Sequence, residues 1–321
     1  MSPQNMPFSK AIDGFLLSFR IDHSNQTAKL YELYLKIACD WLQDPPISAI
    51  DTEYLRRFML YLKSEYTPNR VHSSTRHGRP LSEAAQDNYW IALRSCFRWL
   101  HENGVILTNP AEALARPKVV KPEPDPFTEE EVKRLLFYAQ NVKVIRENGP
   151  SYHRHRPTAR RNVALILVLL DCGIRVGELA RLTFADLRLE VGEIHIRPFE
   201  TGKKSQERYI PLGKRTRKAL WLYLSSLEEP EPTHRLFGLD PTSVRQLLYR
   251  IAAAAQVPHT HPHRFRHTFA IEYLRNGGDV FTLQRILGHT TLDMVNYYLK
   301  LIQTDLREAH KRASPADRWE L

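Results

Sequence analysis

The 321-residue sequence has few cysteines, and the three that it has are far apart. Cys39, Cys96 and Cys172 form no CxxC pair, and their odd number leaves one thiol unpaired within the chain, which favours a reducing, cytoplasmic location. No apolar run approaches the ~20 residues that cross a membrane, the longest being Val163 to Leu170. The first residues, MSPQNMPFSK, lack a basic segment followed by an apolar stretch, so no secretory signal is expected.

Motifs for nucleotide and metal chemistry are also missing. The turn at 202–205 falls short of a phosphate-binding loop, because Arg197 stands where its first glycine belongs and Lys204 where its Ser or Thr belongs. His263 and His267 have the i, i+4 spacing of a zinc-binding helix, but two arginines lie between them and no thiolate or carboxylate is nearby. We therefore expect no metal and no cofactor, and the lack of a carboxylate cluster disfavours two-metal hydrolysis.

What the sequence does have is positive charge, with 46 Lys and Arg against 36 Asp and Glu and a formal net charge of +10. Residues 1–120 carry 14 against 12, whereas residues 121–321 carry 32 against 24, so the excess lies in the C-terminal part. Such a surplus favours a polyanionic partner. The length predicts two domains, and a hydrophobic fraction of 42% excludes wholesale disorder.

A proline-rich hinge separates the two predicted domains. Three prolines at alternate positions from 122 to 126 cannot continue a helix, so we place one domain at 1–116, a linker at 117–126 and a second domain at 127–321. Helical spacing predicts helices around 8–20, 25–43, 51–65 and 82–103 before the hinge. After it we predict helices near 161–172 and 176–183, strands at Glu193–Arg197 and Glu207–Leu212, and helices from about 214. The fold class is mainly α with a small antiparallel β-sheet.

Capping signals fix two of these helices. Ser82 can cap the helix that Gly104 closes, and its apolar stripe comprises Tyr89, Leu93, Cys96, Phe97 and Leu100. Thr128 and Glu131 form the pattern of a capping box just after the hinge. Both domains are therefore predicted to begin or end on well-specified helices.

Several distant residues fit the binding of a phosphodiester. His263 and Arg266 share one face of a helix, and an imidazole beside a guanidinium matches the non-bridging oxygens. Arg175 lies in a turn of CGIRVGELARL between glycines that allow close approach of a bulky ligand. In ILGHTTLDMVNYYL, His289 follows a glycine and precedes Tyr298 by nine residues. For His259, His261 and His267, helix capping or core hydrogen bonding remains the alternative.

Together these segments resemble, over nearly the whole chain, the tyrosine recombinases, which include phage integrases, Xer recombinases and transposon integrases. The resemblance implies a helical core-binding domain, of the SAM-like type, followed by an α+β catalytic domain. The hairpin lysine of this family is matched in TGKKSQERYIPL, where the TGK register selects Lys203 with Lys204 as the fallback. The nine-residue step from His289 favours Tyr298 over Tyr297 as the tyrosine of the family. The implied catalytic residues are Arg175, Lys203, His263, Arg266, His289 and Tyr298.

The resemblance implies a mechanism for these residues. Tyr298 attacks a DNA phosphodiester to give a 3′-phosphotyrosine, without metal or ATP. The two arginines and His289 stabilise the charge that develops on phosphorus, His263 accepts a proton, and Lys203 protonates the leaving oxygen. Glu178 or Asp186 could orient Arg175 or His263, with solvation on a helix face as the alternative.

The implied partners are double-stranded DNA with specific recombination sites, a homotetramer that forms a Holliday junction, and accessory directionality factors, without any membrane. The tail DLREAHKRASPADRWEL favours an integrase of a mobile element, and a helix around Thr304–Ala313 is the candidate contact with a neighbouring protomer. Xer-type resolution of replicon dimers, a type IB topoisomerase-like enzyme, a non-catalytic DNA-binding remnant and an RNA-binding protein stay open as alternatives.

Two basic stretches are predicted as loops. Thr67–Pro80 contains no acidic residue and either is solvated or contacts DNA. Asn141–Arg161 carries six Lys and Arg and one Glu, and is longer than the turn that the resemblance implies at this point. For it we prefer a contact with the phosphate backbone over simple solvation.

Overall fold

The computed structural model describes residues 5–68, 80–120, 123–146, 149–198 and 206–289, together with residues 298, 310, 314 and 316. Its chain divides into two compact units, Met1–Pro122 and Glu123–Leu321. The division falls inside the predicted proline-rich hinge. Within the described ranges, no helix is both long enough and apolar enough to span a membrane.

The first unit is a bundle of helices α1 (Phe8–Asp22), α2 (Asn25–Leu42), α3 (Thr52–Ser64) and α4 (Glu83–Glu102). Ser24, Asp51 and Ser82 cap the last three by accepting backbone N–H bonds in the first turn. The predicted apolar stripe of α4 is buried throughout, and Gly104 follows the helix at a φ of +69°. The four helices predicted before the hinge are therefore confirmed.

The second unit is built around an apolar helix. Its helices are α5 (Glu129–Gln140), α6 (Ala159–Cys172), α7 (Val176–Arg181), α8 (Lys214–Leu224), α9 (Pro241–Ala255), α10 (Pro262–Arg275) and α11 (Val280–Leu287). Thr128 and Glu131 form the predicted capping box of α5. Helix α6 packs against α5, α8 and α10, and apolar side chains are buried around most of its circumference, as expected of a central helix.

A three-stranded antiparallel sheet completes this unit. Strands β3 (Leu187–Arg188), β4 (Glu193–Ile196) and β5 (Arg208–Pro211) are hydrogen-bonded in that order. Ile194 is paired with Ile210, and both are fully or almost fully buried on the face that joins the core. The two predicted strands are confirmed, and the two-residue β3 was too short to give a sequence signal.

The basic stretch predicted as a loop is instead largely a β-hairpin, so that prediction was wrong. Strand β1 (Asn141–Arg146) pairs antiparallel with β2 (Gly149–His155), with Val142 opposite Arg154 and Val144 opposite Tyr152. Asn148–Gly149 is a common turn signal in hairpins. The described side chains of β2 are all exposed and most are polar or aromatic, so the strand has no alternation of buried and exposed residues from which to predict it.

Buried Arg264 anchors the start of the second unit to α10. Its guanidinium donates to the carbonyls of Asp125 and Pro258, at 2.9 Å each, and to the carboxylate of Glu131, also at 2.9 Å. The same guanidinium lies over the ring of Phe127, with 4.1 Å between Cζ and the ring centroid. Arg264 therefore fixes the segment after the hinge to the helix that carries several of the predicted site residues.

We expect Arg264→Met to lower the free energy of unfolding by about 3 kcal/mol, because removing one partner of a buried ion pair leaves the other carboxylate and the carbonyls uncompensated. Urea unfolding of the full chain measures this change. Arg275→Met is the matched control, since Arg275 lies on the same helix in an exposed pair with Glu272 and its loss should cost less than about 1 kcal/mol. Equal losses in the two variants would contradict an anchoring role for Arg264.

Candidate active site

Helix α6 ends at a glycine that brings three elements together. Gly173 follows α6 with a φ of +58°, and a Cβ at this position would collide with Phe269 of α10 and Leu287 of α11. Because only glycine fits, the backbone lies directly against both helices. Arg175 is the N-cap residue of α7, two positions further on, so its side chain starts from this junction.

A buried carboxylate holds Arg175 in place. Glu178, which is 3% exposed, accepts the backbone N–H of Arg175 at 2.8 Å and its Nη1 at 3.3 Å. It also accepts Nη1 and Nη2 of Arg208 on β5, at 3.2 and 3.0 Å. Burial acts to raise the pKa of Glu178, but the hydrogen bonds and charge of Arg208 outweigh it and leave the pKa below its ordinary value. Glu178 is therefore ionised and orients two guanidiniums.

Asp186, the other acid predicted to orient the site, has different partners. Its carboxylate accepts the backbone N–H of Thr183 at 2.8 Å and pairs with Arg197 at 2.6 Å. Among the described contacts of Asp186, neither Arg175 nor His263 appears. Asp186 therefore stabilises the turn before β3, and the orienting contact belongs to Glu178.

Arg266 lies at the centre of the site and is almost completely buried. It donates Nη1 to the carbonyl of Gly173 at 2.7 Å, and Nη2 to the carbonyl of Leu287 at 2.9 Å and to Nε2 of His289 at 2.6 Å. Desolvation, followed by the charge of Arg175, lowers the pKa of Arg266 to about 10, so the guanidinium stays charged at neutral pH. Arg266 thus joins the α6–α7 turn, the end of α11 and His289.

The contact with Arg266 fixes the tautomer of His289. A guanidinium only donates, so Nε2 of His289 accepts, and the proton of the neutral ring lies on Nδ1. Desolvation, and then the charge of Arg266, lowers the pKa of His289 to about 4, so the ring is neutral near pH 7. Nδ1 is buried and has no hydrogen-bond partner among the described residues. Within the described part of the chain, the N–H of His289 therefore has no acceptor, and it lies next to the Arg266 cation.

His263 lies on the first turn of α10, where His261 is the N-cap and accepts the backbone N–H of Arg264 at 3.2 Å. The capping alternative is thus confirmed for His261. The imidazole of His263 is exposed, and partial desolvation followed by the charge of Arg266 lowers its pKa, with Arg175 also contributing. His263 is therefore within electrostatic reach of both predicted arginines.

The phenol of Tyr298 comes to the same helix. Its hydroxyl lies 2.9 Å from Nδ1 of His267, one residue after Arg266, and the residue is 4% exposed. The ring packs in an apolar cluster with Ile271 and Leu283. A negative charge on Tyr298 would raise the pKa of Arg266, which places the phenol within electrostatic reach of that guanidinium.

The structure thus brings together Arg175, His263, Arg266, His289 and Tyr298. Arg208 was missed by the sequence analysis, because its position at the start of β5 does not distinguish it from a surface arginine. Several predictions lie outside the described residues: Lys203 and its fallback Lys204, Tyr297, most of the basic stretch 67–80, and most of the tail helix 304–313.

The chemistry that this arrangement permits is the binding of a tetrahedral oxyanion beside a nucleophile. The guanidinium of Arg266 stands within electrostatic reach of both Arg175 and the phenol oxygen of Tyr298, and it contacts His289, whose neutral ring carries an N–H donor. In the described part of the chain, no group of three or more His, Cys, Asp or Glu side chains is arranged to hold a metal ion. The donors are those that phosphate oxygens prefer.

Comparison of the sequence with known proteins gives consistent matches. Residues 126–304 match the model of the phage integrase family. A tyrosine recombinase XerC of Oceanobacillus iheyensis is 29% identical over 319 residues, which cover 95% of each chain. A tyrosine recombinase XerA of Thermococcus kodakarensis is 30% identical over 297 residues, 90% of each chain.

Comparison with solved structures shows the same fold. The Tn1549 transposon integrase in complex with transposon right end DNA has a TM-score of 0.72 at 18% identity, over 96% of this chain and 99% of that one. A lambda integrase dimer bound to a core site has a TM-score of 0.65 at 20% identity, over 90% and 97% of the two chains. At these identities the likeness shows that this chain shares its fold with both neighbours.

Proposed function

This chain belongs to the phage integrase family and is a DNA strand-exchanging tyrosine recombinase of the Xer and integrase type, and from that premise we propose that it recombines specific sites through a 3′-phosphotyrosine formed on Tyr298. The observation that carries the proposal is that two adjacent residues of α10 contact the other groups of the site. Arg266 donates to His289, and His267 lies within hydrogen-bond distance of the Tyr298 hydroxyl. Nucleophile and charge-stabilising groups are thereby held by one rigid element.

The arginines and His289 bind the scissile phosphate. Attack on phosphorus builds negative charge on the non-bridging oxygens, and fixed donors aimed at that charge lower the barrier. Arg175 is oriented by Glu178 and remains partly exposed, with 28% of its side chain accessible. The N–H of His289 has no partner among the described residues, and a phosphate oxygen would supply one. Buried Arg266 acts mainly by its charge, because protein groups already occupy much of its hydrogen-bonding capacity.

The bonds exchange in a balanced step. The phenol oxygen of Tyr298 forms a bond to phosphorus, and the bond from phosphorus to the 5′ oxygen breaks. The resemblance assigns the proton of the phenol to His263, whose imidazole is in the neutral form that can accept one, because desolvation and the charge of Arg266 lower its pKa. Lys203 donates a proton to the leaving 5′ oxygen. One phosphoester replaces another, so the strand can be resealed by a different 5′ hydroxyl without ATP.

Strand exchange by this route requires several protomers. We propose that four copies of the chain bind two DNA sites and pass through a Holliday junction, with accessory factors setting the direction. The helix predicted at 304–313 would contact the neighbouring protomer. A mobile-element role is favoured by the tail sequence DLREAHKRASPADRWEL. Xer-type resolution of replicon dimers is the second candidate, because XerC relatives match the chain over nearly its full length.

The basic hairpin β1–β2 supplies a further contact with DNA. Lys143 and Arg154 are exposed on adjacent strands, and His153 and His155 lie beside them. Cations on an exposed hairpin suit the phosphate backbone, which carries no sequence information. This contact would add to affinity and to its salt dependence, and would leave the choice of site to other residues.

We expect the wild-type protein to form covalent complexes at discrete sites and to exchange strands between two copies of such a site. Covalent complexes trapped on fragmented host DNA, with the attached ends sequenced, identify the sites. Two labelled duplexes carrying a recovered site then report exchange as a product of new length. The reason is that the broken strand can be rejoined to either of two 5′ hydroxyls in a synaptic complex.

Three other results would point elsewhere. Relaxation of supercoiled plasmid without exchange would favour a type IB topoisomerase-like enzyme. DNA binding without any covalent complex would favour a non-catalytic remnant. Preference for RNA over duplex DNA would remove the recombinase proposal altogether.

A further inference from the structure

The hydroxyl of Tyr298 is hydrogen-bonded to His267, a residue that has no role in the proposed reaction as described so far. Nδ1 of His267 lies 2.9 Å from this oxygen, and the two rings are in contact, with centroids 5.7 Å apart. His267 is half-buried on α10. It directly follows Arg266 and lies one turn after His263, so the same helix carries charge stabilisation, the proposed proton acceptor and this contact.

His267 is unsuited to removing the proton of Tyr298. Desolvation, followed by the neighbouring His263, lowers the pKa of His267 to about 4. A phenol has an ordinary pKa near 10, so proton transfer to this ring would be unfavourable by about six powers of ten. The contact therefore positions an oxygen and does not deprotonate it. A neutral imidazole has one donor and one acceptor nitrogen, and either tautomer can hold a hydroxyl through Nδ1.

Packing places the ring of Tyr298 but leaves its oxygen to be fixed separately. Tyr298 belongs to a buried apolar cluster that includes Ile271, Leu283 and Leu287. Apolar contacts are non-directional and do not define where the hydroxyl stands. The hydrogen bond to His267 is directional and helps to define this position, which lies within electrostatic reach of Arg266.

We propose that His267 is a positioning residue, which through Nδ1 holds the Tyr298 oxygen at the place from which it attacks the phosphate. The inference rests on the proposed function of Tyr298 as nucleophile. Misplacing a reacting group by about 1 Å can cost about 100-fold in rate, so a lost positioning bond is expected to be visible in kinetics.

Three substitutions separate this role from a structural one. His267→Phe keeps an aromatic ring and removes Nδ1. His267→Asn retains a polar atom attached to Cγ, where Nδ1 is attached in histidine. His267→Gln sets its polar atoms one bond further out, near the position of Nε2. His261→Asn is the matched control, because His261 lies on the same helix and its capping role is one that Asn performs well.

The measurement is the single-turnover rate of covalent complex formation by the full chain at saturating DNA, using a recovered site with a nick that traps the adduct. We expect His267→Phe and His267→Gln to be slower by about 10- to 100-fold, and His267→Asn to stay within about threefold of wild type. The Kd for DNA should change less than about twofold in all three, as should the rate of His261→Asn. If His267→Phe fails to fold, the Asn and Gln variants still decide the matter.

Two outcomes overturn the proposal. A rate for His267→Phe equal to or above wild type would mean that the bond is dispensable or holds the phenol away from the phosphate. Equal rates for the Asn and Gln variants would remove the requirement for a group at the Nδ1 position. Absence of any adduct with the wild-type protein would instead count against the proposed function, so the two failures are distinguishable.

Discussion

Tyr298→Phe is expected to abolish the covalent protein–DNA adduct, by at least about 10⁴-fold, while DNA affinity stays within about twofold of wild type. The substitution removes one oxygen and leaves the ring among Ile271, Leu283 and Leu287, so local packing is preserved. Nδ1 of His267 loses a partner, which is a small change for a half-buried group. The adduct is measured on a denaturing gel with end-labelled site DNA, and affinity by mobility shift of the same duplex.

The adjacent tyrosine supplies the control for this experiment. Tyr297→Phe should form the adduct at the wild-type rate, because the proposed nucleophile is the following residue, nine positions after His289, as the resemblance to tyrosine recombinases implies. An adduct that persists in Tyr298→Phe and disappears in Tyr297→Phe would transfer the nucleophile to Tyr297. It would also withdraw the role inferred for His267, whose bond is to Tyr298.

The helices of this protein follow from local sequence, whereas its basic hairpin does not. The stripe of α4 and the capping box of α5 are short-range signals, and the structure has both where the sequence predicts them. Strand β2 is exposed along the described part of its length, so burial imposes no alternation on it. Its pairing with β1 depends on a turn and on backbone hydrogen bonds, and these form with most polar side chains.

In the candidate site, too, some residues could be predicted from the sequence and others could not. Arg175, Arg266 and His289 stand in short motifs and could be selected from the sequence. Glu178 and Tyr298 each have a partner far away in the chain, Arg208 at 30 residues and His267 at 31 residues. No periodicity connects residues at such separations, because their contacts arise from tertiary packing, which brings β5 to α7 and Tyr298 to α10. For Lys203 the sequence remains the only guide.

Arg175→Lys is expected to reduce the rate of DNA cleavage by about 100- to 1,000-fold while retaining DNA binding. The guanidinium of Arg175 contacts Glu178 through Nη1, at 3.3 Å, and the rest of its planar donor set remains to contact phosphate oxygens. A lysine ammonium carries the same charge but is a single point, so it cannot keep the carboxylate contact and also present paired donors to the phosphate. Single-turnover cleavage at saturating DNA measures the effect.

Whether Arg175→Lys lowers the cleavage rate or weakens DNA binding tests why Arg175 matters. Because the lysine preserves net charge, long-range attraction to DNA should be unchanged, and the defect should appear in the cleavage rate with little change in Kd. Arg275→Lys, at the exposed end of α10, controls for the exchange of side chains and should cleave normally. Near-normal cleavage by Arg175→Lys would show that a point charge suffices. Charge stabilisation would then fall to Arg266 and His289, and the contacts of Glu178 with Arg175 and Arg208 would serve to hold α7 and β5 together.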